Sequence, residues 1–185
     1  MKYLHVYLLF LLAFTTVKAQ NRIHANMPLL PIGIVNVAYE KPLSEKYSIQ
    51  GEITVSPWKS FFDRNLQIYM ISFEGKRYFL NHSKGFHVGT YLSGAKFNLQ
   101  KGSVTPNAGI EYHKGYAYVI GLSFGYYMPI NDKLGIDFFG GVGTAQTFYK
   151  AYYKRNDVRA DSAKDWNKSG EIFPTRGGIS LVYKL

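Results

Sequence analysis

Tyr-Ala-Tyr-Val-Ile-Gly-Leu-Ser-Phe-Gly-Tyr-Tyr-Met, residues 116–128, is the stretch that decides the fold. Its even positions are all large and apolar or aromatic, whereas its odd positions from Ala117 to Gly125 are small. A period of two indicates a β-strand whose two faces differ. The large face has tyrosines at both ends and mostly aliphatic residues between them, which is typical of a strand that crosses a bilayer between two aromatic girdles.

The length of this stretch also fits a membrane. The ten residue steps from Tyr116 to Tyr126 span about 33 Å, and a strand tilt of about 40° reduces this to about 25 Å of membrane depth. We therefore predict that Ile120, Leu122 and Phe124 face lipid.

The N-terminal residues predict export. Residues 1–19 combine a basic start, a short apolar core and a small-residue site at Val17-Lys18-Ala19, the pattern of a cleaved secretory signal peptide. Residues 20–185 then form a single domain. The rest of the chain has no run of eighteen apolar residues, which excludes a helical membrane protein. The absence of cysteine excludes disulfides, thiolate metal sites and a lipid anchor on cysteine.

The charge of the chain points to an anionic partner. The expected mature chain keeps 20 of the 22 basic residues and all 12 acidic residues, giving a formal charge of +8. For an exported chain, lipopolysaccharide phosphates are a more plausible partner than nucleic acid. Ordinary solvation of basic loops remains an alternative.

Alternating segments of similar length recur along the whole chain. The eight predicted strands occupy residues 22–27, 35–40, 48–55, 66–80, 86–99, 116–128, 134–149 and 174–185. Tight turns are predicted at residues 42–46, 81–85 and 131–133, and they alternate with connections at residues 29–33, 59–65, 100–115 and 150–171. We predict an all-β fold, an eight-stranded antiparallel transmembrane barrel with up-and-down topology and both termini on the periplasmic side.

The inward faces of these strands are polar. The predicted lumen residues include a network of charged side chains: Glu52, Glu74, Lys76, Asp137 and Arg176. Eight strands enclose just enough space for side chains, so the lumen is predicted to be filled rather than to form a pore. Charges placed there must be paired. A buried relay or a small-ligand site is the alternative function of these residues, and no residue spacing favours it.

The sequence offers no set of catalytic residues. A lipid-modifying enzyme needs a nucleophile beside a base on the lipid-facing wall. The alternation of strand residues places no serine and histidine together on that surface. The glycines of residues 140–143 precede no helix with Lys and Ser or Thr, so they form no phosphate loop. We expect no enzyme activity, no cofactor and no metal.

The last long connection is the predicted contact surface. It mixes basic and aromatic residues: Tyr152, Tyr153, Lys154, Arg155, Arg159 and Trp166. Such groups would suit lipopolysaccharide phosphates or a neighbouring outer-membrane protein, and a simply solvated loop is the alternative.

Several segments together resemble a known family. They are residues 23–30, 36–40, 47–58 with Ser56-Pro57-Trp58, 73–79 (Phe-Glu-Gly-Lys-Arg-Tyr-Phe), 121–126, and 174–176 leading into 179–183. In this order they are similar to an uncharacterised family of Gram-negative outer-membrane β-barrels, catalogued as domain of unknown function 3575. Two positions depart from the family pattern. Lys76 replaces an arginine, which keeps the charge but loses the planar fork, and Leu185 ends the chain where an aromatic residue is usual.

The resemblance implies the fold and location in the outer membrane, but no activity. Two hypotheses follow for the function. The chain is an integral outer-membrane barrel without a pore, acting as a structural or docking subunit through its loops or its lipid-facing wall. Alternatively, it is an enzyme that modifies outer-membrane lipid, lipopolysaccharide in particular.

Overall fold

Eight antiparallel strands, each hydrogen-bonded to the next, close into a barrel when the last strand pairs with the first. The computed structural model describes residues 20–62, 64–80, 83–100, 111–160 and 165–185. The strands are β1 (Arg22–Asn26), β2 (Val35–Pro42), β3 (Tyr47–Phe61), β4 (Arg64–Leu80), β5 (Lys84–Leu99), β6 (Glu111–Pro129), β7 (Leu134–Tyr153) and β8 (Asn167–Lys184). The predicted all-β, eight-stranded meander is confirmed.

The two ends of the barrel differ in their connections. One end, here called the turn end, has the short links that follow β2, β4 and β6, together with β1's start and β8's end. The turn after β6 is fixed by Asn131, whose side-chain oxygen accepts hydrogen bonds from the backbone N–H groups of Lys133 (2.9 Å) and Leu134 (2.8 Å). The opposite end, here called the loop end, has the links that follow β3, β5 and β7 and a 3₁₀ helix between β1 and β2.

The 3₁₀ helix (Met27–Ile32) lies where the sequence predicts a turn. Gly33 ends it in the left-handed region with φ of 69°, a conformation that glycine adopts without strain. The indole N–H of Trp58 donates a hydrogen bond to the carbonyl of Ile32 at 2.9 Å, which ties this segment to β3. In the described part of the chain, no helix is long and apolar enough to span a membrane.

The predicted faces of the strands are correct, but several predicted connections are too long. Residues 59–65 are mostly strand, because β3 continues to Phe61 and β4 begins at Arg64. The predicted loop at residues 150–171 is also wrong in extent, since β7 reaches Tyr153 and β8 begins at Asn167. The composition of these segments predicted loops. Their residues nevertheless continue the alternation of the strands.

Some predictions lie outside the described residues. The signal peptide at residues 1–19 is one, and it stays a prediction. Most of the predicted connection at 100–115 and part of the turn at 81–85 are others.

Candidate functional site

The outer wall of the barrel carries large apolar side chains around its middle. On β6, Ile120, Leu122 and Phe124 are 57%, 65% and 61% exposed. Their exposed counterparts on other strands include Ile53, Ile71, Phe73, Leu92, Val142, Ile172 and Ile179. Exposed aromatic residues lie on both sides of this belt: Tyr39, Tyr47, Phe79, Phe86, Tyr126 and Tyr183 toward the turn end, and Tyr69, Tyr116, Tyr118 and Trp166 toward the loop end. We call this surface the apolar belt.

Glu40 of β2 lies at the centre of the turn-end half of the lumen. Its carboxylate is completely buried, and the Tyr78 hydroxyl donates a hydrogen bond to it at 2.9 Å. Three basic side chains approach the same carboxylate: His24 Nε2 at 3.0 Å, Lys76 Nζ at 3.4 Å and Arg22 Nη1 at 3.5 Å. These contacts join β1, β2 and β4 across the interior.

Asp137 of β7 is the second acidic centre of this half. Its carboxylate lies 2.9 Å from Nε2 of His87, 3.7 Å from Nζ of Lys76 and 3.8 Å from Nδ1 of His24. Because Lys76 and His24 contact both acidic groups, Glu40 and Asp137 belong to one ion cluster.

Aromatic side chains close the turn end below this cluster. Tyr78, Tyr127 and Val182 are almost completely buried and pack as one group. The guanidinium carbon of Arg22 lies 4.7 Å from the centroid of the Tyr127 ring and 5.8 Å from that of Tyr78. Arg22 also donates a hydrogen bond to the carbonyl of Ser83 at 3.1 Å. The charge of Arg22 is therefore held by both rings and by the turn backbone.

A second ion cluster lies nearer the loop end. Arg176 of β8 forms salt bridges with Glu74 (2.8 Å) and with Glu52. Asn36 donates a hydrogen bond to Glu52 at 2.9 Å, and the Ser123 hydroxyl donates one to Glu74. One guanidinium thus holds two carboxylates from neighbouring strands, and polar side chains occupy their remaining acceptor sites.

All five predicted network residues point into the lumen, but they divide between the two clusters. Glu52, Glu74 and Arg176 form one, while Lys76 and Asp137 belong to the other. Sequence alternation also placed Glu40 and His24 on the inner face, but the predicted network did not include them. It also missed Arg22, which alternation along β1 places on the same face as His24.

The two clusters fill the turn-end half of the lumen. Besides the histidines, they contain three cations (Arg22, Lys76 and Arg176) and four carboxylates (Glu40, Glu52, Glu74 and Asp137). The cavity that remains among these side chains measures about 10 Å³, which is room for about one water molecule.

The loop-end half of the lumen is different, because it contains an open chamber of about 270 Å³. Most of the chamber wall is apolar: Ile68, Ala95, Phe97, Leu99, Ala117, Val119, Ala145 and Phe173. The other lining residues are His113, Thr147, Tyr149, Ser169 and Glu171. The predicted filled polar lumen therefore describes the turn-end half, and the loop-end half is an apolar chamber.

Tyr91 separates the two halves. It is buried on β5 between the inward residues of the turn-end half and those of the chamber, and its hydroxyl forms a hydrogen bond with Thr175 of β8. Its ring also lies 5.0 Å from the guanidinium carbon of Arg176. Gly121 and Gly143 leave the space that this side chain crosses, since a Cβ atom at Gly121 would lie 2.4 Å from the Tyr91 hydroxyl oxygen. Tyr91 and Arg176 therefore form the floor of the chamber.

Four lysines lie on the outer wall at the loop-end side of the belt. They are Lys96 on β5, Lys114 on β6, Lys150 on β7 and Lys168 on β8, and we call them the lysine band. Lys114 and Lys150 are directly opposite each other on paired strands. Like charges in such positions destabilise a sheet. Among the described residues, no carboxylate forms a salt bridge with any of the four.

Aromatic rings accompany the lysine band instead. The ammonium group of Lys114 lies 4.8 Å from the centroid of Tyr112, and that of Lys150 lies 4.8 Å from Trp166. A surface groove of about 260 Å³ runs along this part of the wall. Lys114 and Lys150 therefore keep their charges beside aromatic rings, an arrangement suited to an anion at a lipid boundary.

The predicted loop contact surface is only partly brought together. Tyr152 stacks on Tyr112 with ring centroids 5.5 Å apart, and it pairs with Arg159 in an isolated β-bridge. Trp166 lies with Tyr152 on the groove of the lysine band. Tyr153 ends β7, and Lys154 and Arg155 follow it in the turn. The groove adds Lys150, the first residue of that predicted loop. It also adds Lys96 and Lys114, which sequence analysis missed as contact residues, although the outward position of Lys96 was visible from strand alternation.

No established site accounts for these features. Among the described residues, no group of three or more histidine, aspartate or glutamate side chains is arranged to hold a metal ion. Comparison with curated proteins and with solved structures found no match. A family model described as "Protein of unknown function (DUF3575)" matches residues 4–185, nearly the whole chain. The predicted membership of the family catalogued as domain of unknown function 3575 is thus confirmed, and the chain belongs to this family of unknown function.

Proposed function

We propose that this protein is an integral outer-membrane barrel without a pore, which acts as a structural or docking subunit through its wall and its loops. The apolar belt is the observation that carries this proposal. Its side chains are large, apolar and more than two-fifths exposed, whereas the inner face of the same strands holds the ion clusters. A water-soluble barrel would have the opposite arrangement.

The ion clusters support the absence of a pore. Every charge of the two ion clusters has an opposite charge nearby, and the remaining cavity holds about one water molecule. A conducting pathway would need these pairs to separate inside the protein, which is costly. We therefore propose that the ion clusters hold the strands together.

The lysine band supports lipopolysaccharide as a partner of the wall. With the turn end in the periplasm, the band lies at the outer edge of the belt, level with phosphates of the outer leaflet. An anion placed between Lys114 and Lys150 would remove their mutual repulsion. A second outer-membrane protein bound to the loops is the other proposed partner.

The alternative role, a lipid-modifying enzyme, has less support. It needs a histidine near a nucleophile on the outer wall. The histidines in the described part of the chain are His24, His87 and His113, and all three point into the lumen. We therefore propose a docking role rather than a catalytic one.

Membrane fractionation tests the location. The full chain, expressed in a Gram-negative host, should appear in the outer-membrane fraction and should migrate faster on a gel before heating than after. Purified protein should produce no steady conductance in planar bilayers. Recovery of the folded chain in the soluble periplasmic fraction would refute membrane integration.

Partner capture and lipid analysis separate the two roles. Purification in mild detergent should recover a specific envelope protein or bound lipopolysaccharide, and a strain lacking the protein should keep its acyl pattern. An altered acyl pattern in that strain would support the enzyme instead. For the lysine band, Lys114→Gln with Lys150→Gln should reduce lipopolysaccharide retention, whereas the turn-end pair Lys41→Gln with Lys84→Gln should not.

A further inference from the structure

The loop-end chamber has the features of a small-molecule site. Its volume of about 270 Å³ is near the lower limit of roughly 300 to 1,000 Å³ for ligand pockets. Such pockets are mainly apolar with a few polar groups, and the mouths of β-barrels are common places for them. The chamber meets both conditions.

Small residues create this space. Ala95, Ala117 and Ala145 occupy inward positions where the turn-end half has larger polar side chains. Eight strands normally leave room only for side chains, so short side chains on three adjacent strands leave a gap. Water in that gap has few polar partners on the wall, and an apolar molecule would therefore displace it favourably.

One charged group lines the chamber without a partner among the described residues. Glu171 of β8 forms no salt bridge or hydrogen bond there. Among the other polar lining groups, the Thr147 and Ser169 hydroxyls bond to each other at 2.6 Å. The chamber thus presents apolar walls and one carboxylate.

The floor prevents passage through the barrel. Tyr91 lies between the chamber and the ion clusters, and Arg176 of the second cluster packs against its ring. A molecule that enters from the loop end must therefore leave by the same route. This geometry fits binding rather than transport.

We infer that the chamber binds a small apolar molecule that carries one cationic group, with its hydrocarbon part among the alanines and its cation at Glu171. The charge of the carboxylate selects the cation, and the walls select the apolar body. This inference goes beyond the proposed docking role, and it does not depend on a partner at the lysine band or the loops.

A binding experiment with two matched probes tests the inference. The full-length barrel in a non-ionic detergent is dialysed against 2-(1-naphthyl)ethylamine or against neutral 1-ethylnaphthalene, which has the same rings. We expect one saturable site, and about tenfold tighter binding of the amine. Glu171→Gln should remove that preference without weakening the neutral probe. Equal affinities for the two probes in the unmodified barrel would overturn the inference.

Filling the chamber provides the steric test. Ala145→Phe should abolish saturable binding of both probes, while Ile120→Phe, a substitution on the outer wall, should leave it intact. Stoichiometric binding that survives Ala145→Phe in a folded barrel would overturn the inference. Gel mobility before heating shows whether each variant is folded.

A labelling experiment covers the case in which Ala145→Phe does not fold. The chain has no cysteine, so Val119→Cys places a single thiol on the chamber wall. The naphthyl amine should slow modification of this thiol by an apolar methanethiosulfonate, and it should not affect Val142→Cys on the outer wall. An unchanged modification rate at Val119→Cys would overturn the inference. Because folded protein from any compartment can be used, failure of the proposed membrane location would be seen separately.

Discussion

The two halves of the lumen share strands β4, β5, β7 and β8 but use opposite chemistry. Toward the turn end, the inward positions carry charges that pair across the barrel and leave about 10 Å³. Toward the loop end, inward positions on the same strands carry mostly small or apolar side chains and leave about 270 Å³. Strand alternation determines which residues point inward. The size and charge of those residues determine whether the lumen is filled or contains a chamber.

The largest expected effect of a substitution lies in the turn-end half of the lumen. Glu40→Gln leaves Lys76 and Arg22 without their main counter-charge in a buried site, so it should lower the free energy of unfolding by about 3 to 5 kcal/mol. Urea titration in phosphatidylcholine vesicles measures this value.

The matched control is Glu171→Gln in the chamber. This carboxylate has no cationic partner among the described residues, so the cost should stay within about 0.5 kcal/mol. Similar losses for the two variants would show that the two halves do not differ in how their carboxylates are paired.

The next effect tests whether the wall around both halves faces lipid. Leu122→Arg places a charge in the middle of the apolar belt and should cost about 2 to 4 kcal/mol in the same titration. Gln146→Arg, paired with Tyr118 near the loop-end limit of the belt, should cost about 0 to 1 kcal/mol. Efficient assembly and full stability of Leu122→Arg would contradict the assignment of the faces.

A smaller effect tests the boundary between the halves. Gly121→Ala would place a Cβ atom 2.4 Å from the Tyr91 hydroxyl and 2.6 Å from the Val142 carbonyl, which must then move. Such overpacking should cost about 1 to 3 kcal/mol. Gly75→Ala, where a Cβ atom meets nothing within 4 Å, should cost much less. Equal stability of the two alanine variants would contradict the position of Tyr91 at the boundary between the two halves.

The smallest effect concerns the hydroxyl of Tyr91. Tyr91→Phe keeps the ring beside Arg176 but loses the hydrogen bond to Thr175, so it should cost about 1 kcal/mol. Tyr118→Phe on the outer wall serves as the control and should change little, because its side chain is 60% exposed. A loss that is equal in the two variants would point to a general effect of removing a hydroxyl.

Much of the fold could be predicted from sequence, because the alternation of residue types along a strand is a local property. The alternation in residues 116–128 alone gives the two faces of β6, and the same pattern gives the other strands and their order. The ends of the strands were less predictable. Lys114 and Lys150 continue the strands beyond the belt, where polar side chains no longer distinguish a strand from a loop.

The pairing inside the lumen could not be predicted in the same way. His24 of β1 meets Asp137 of β7 only because the ring closes, and Asp137 meets His87 from across fifty residues of sequence. The chamber depends on how several short side chains from different strands add together. These are properties of the closed barrel, and no single segment contains them.

The short first strand has a consequence for assembly. β1 has five residues, whereas β7 has 20, so the hydrogen bonds that join the two edges of the sheet are few. Arg22 and His24 belong to β1, and they reach Tyr127 of β6 and Asp137 of β7 only after the edges meet. We therefore expect the long hairpins to form early and β1 to pair with β8 last. Its two basic side chains would then stabilise the closed barrel.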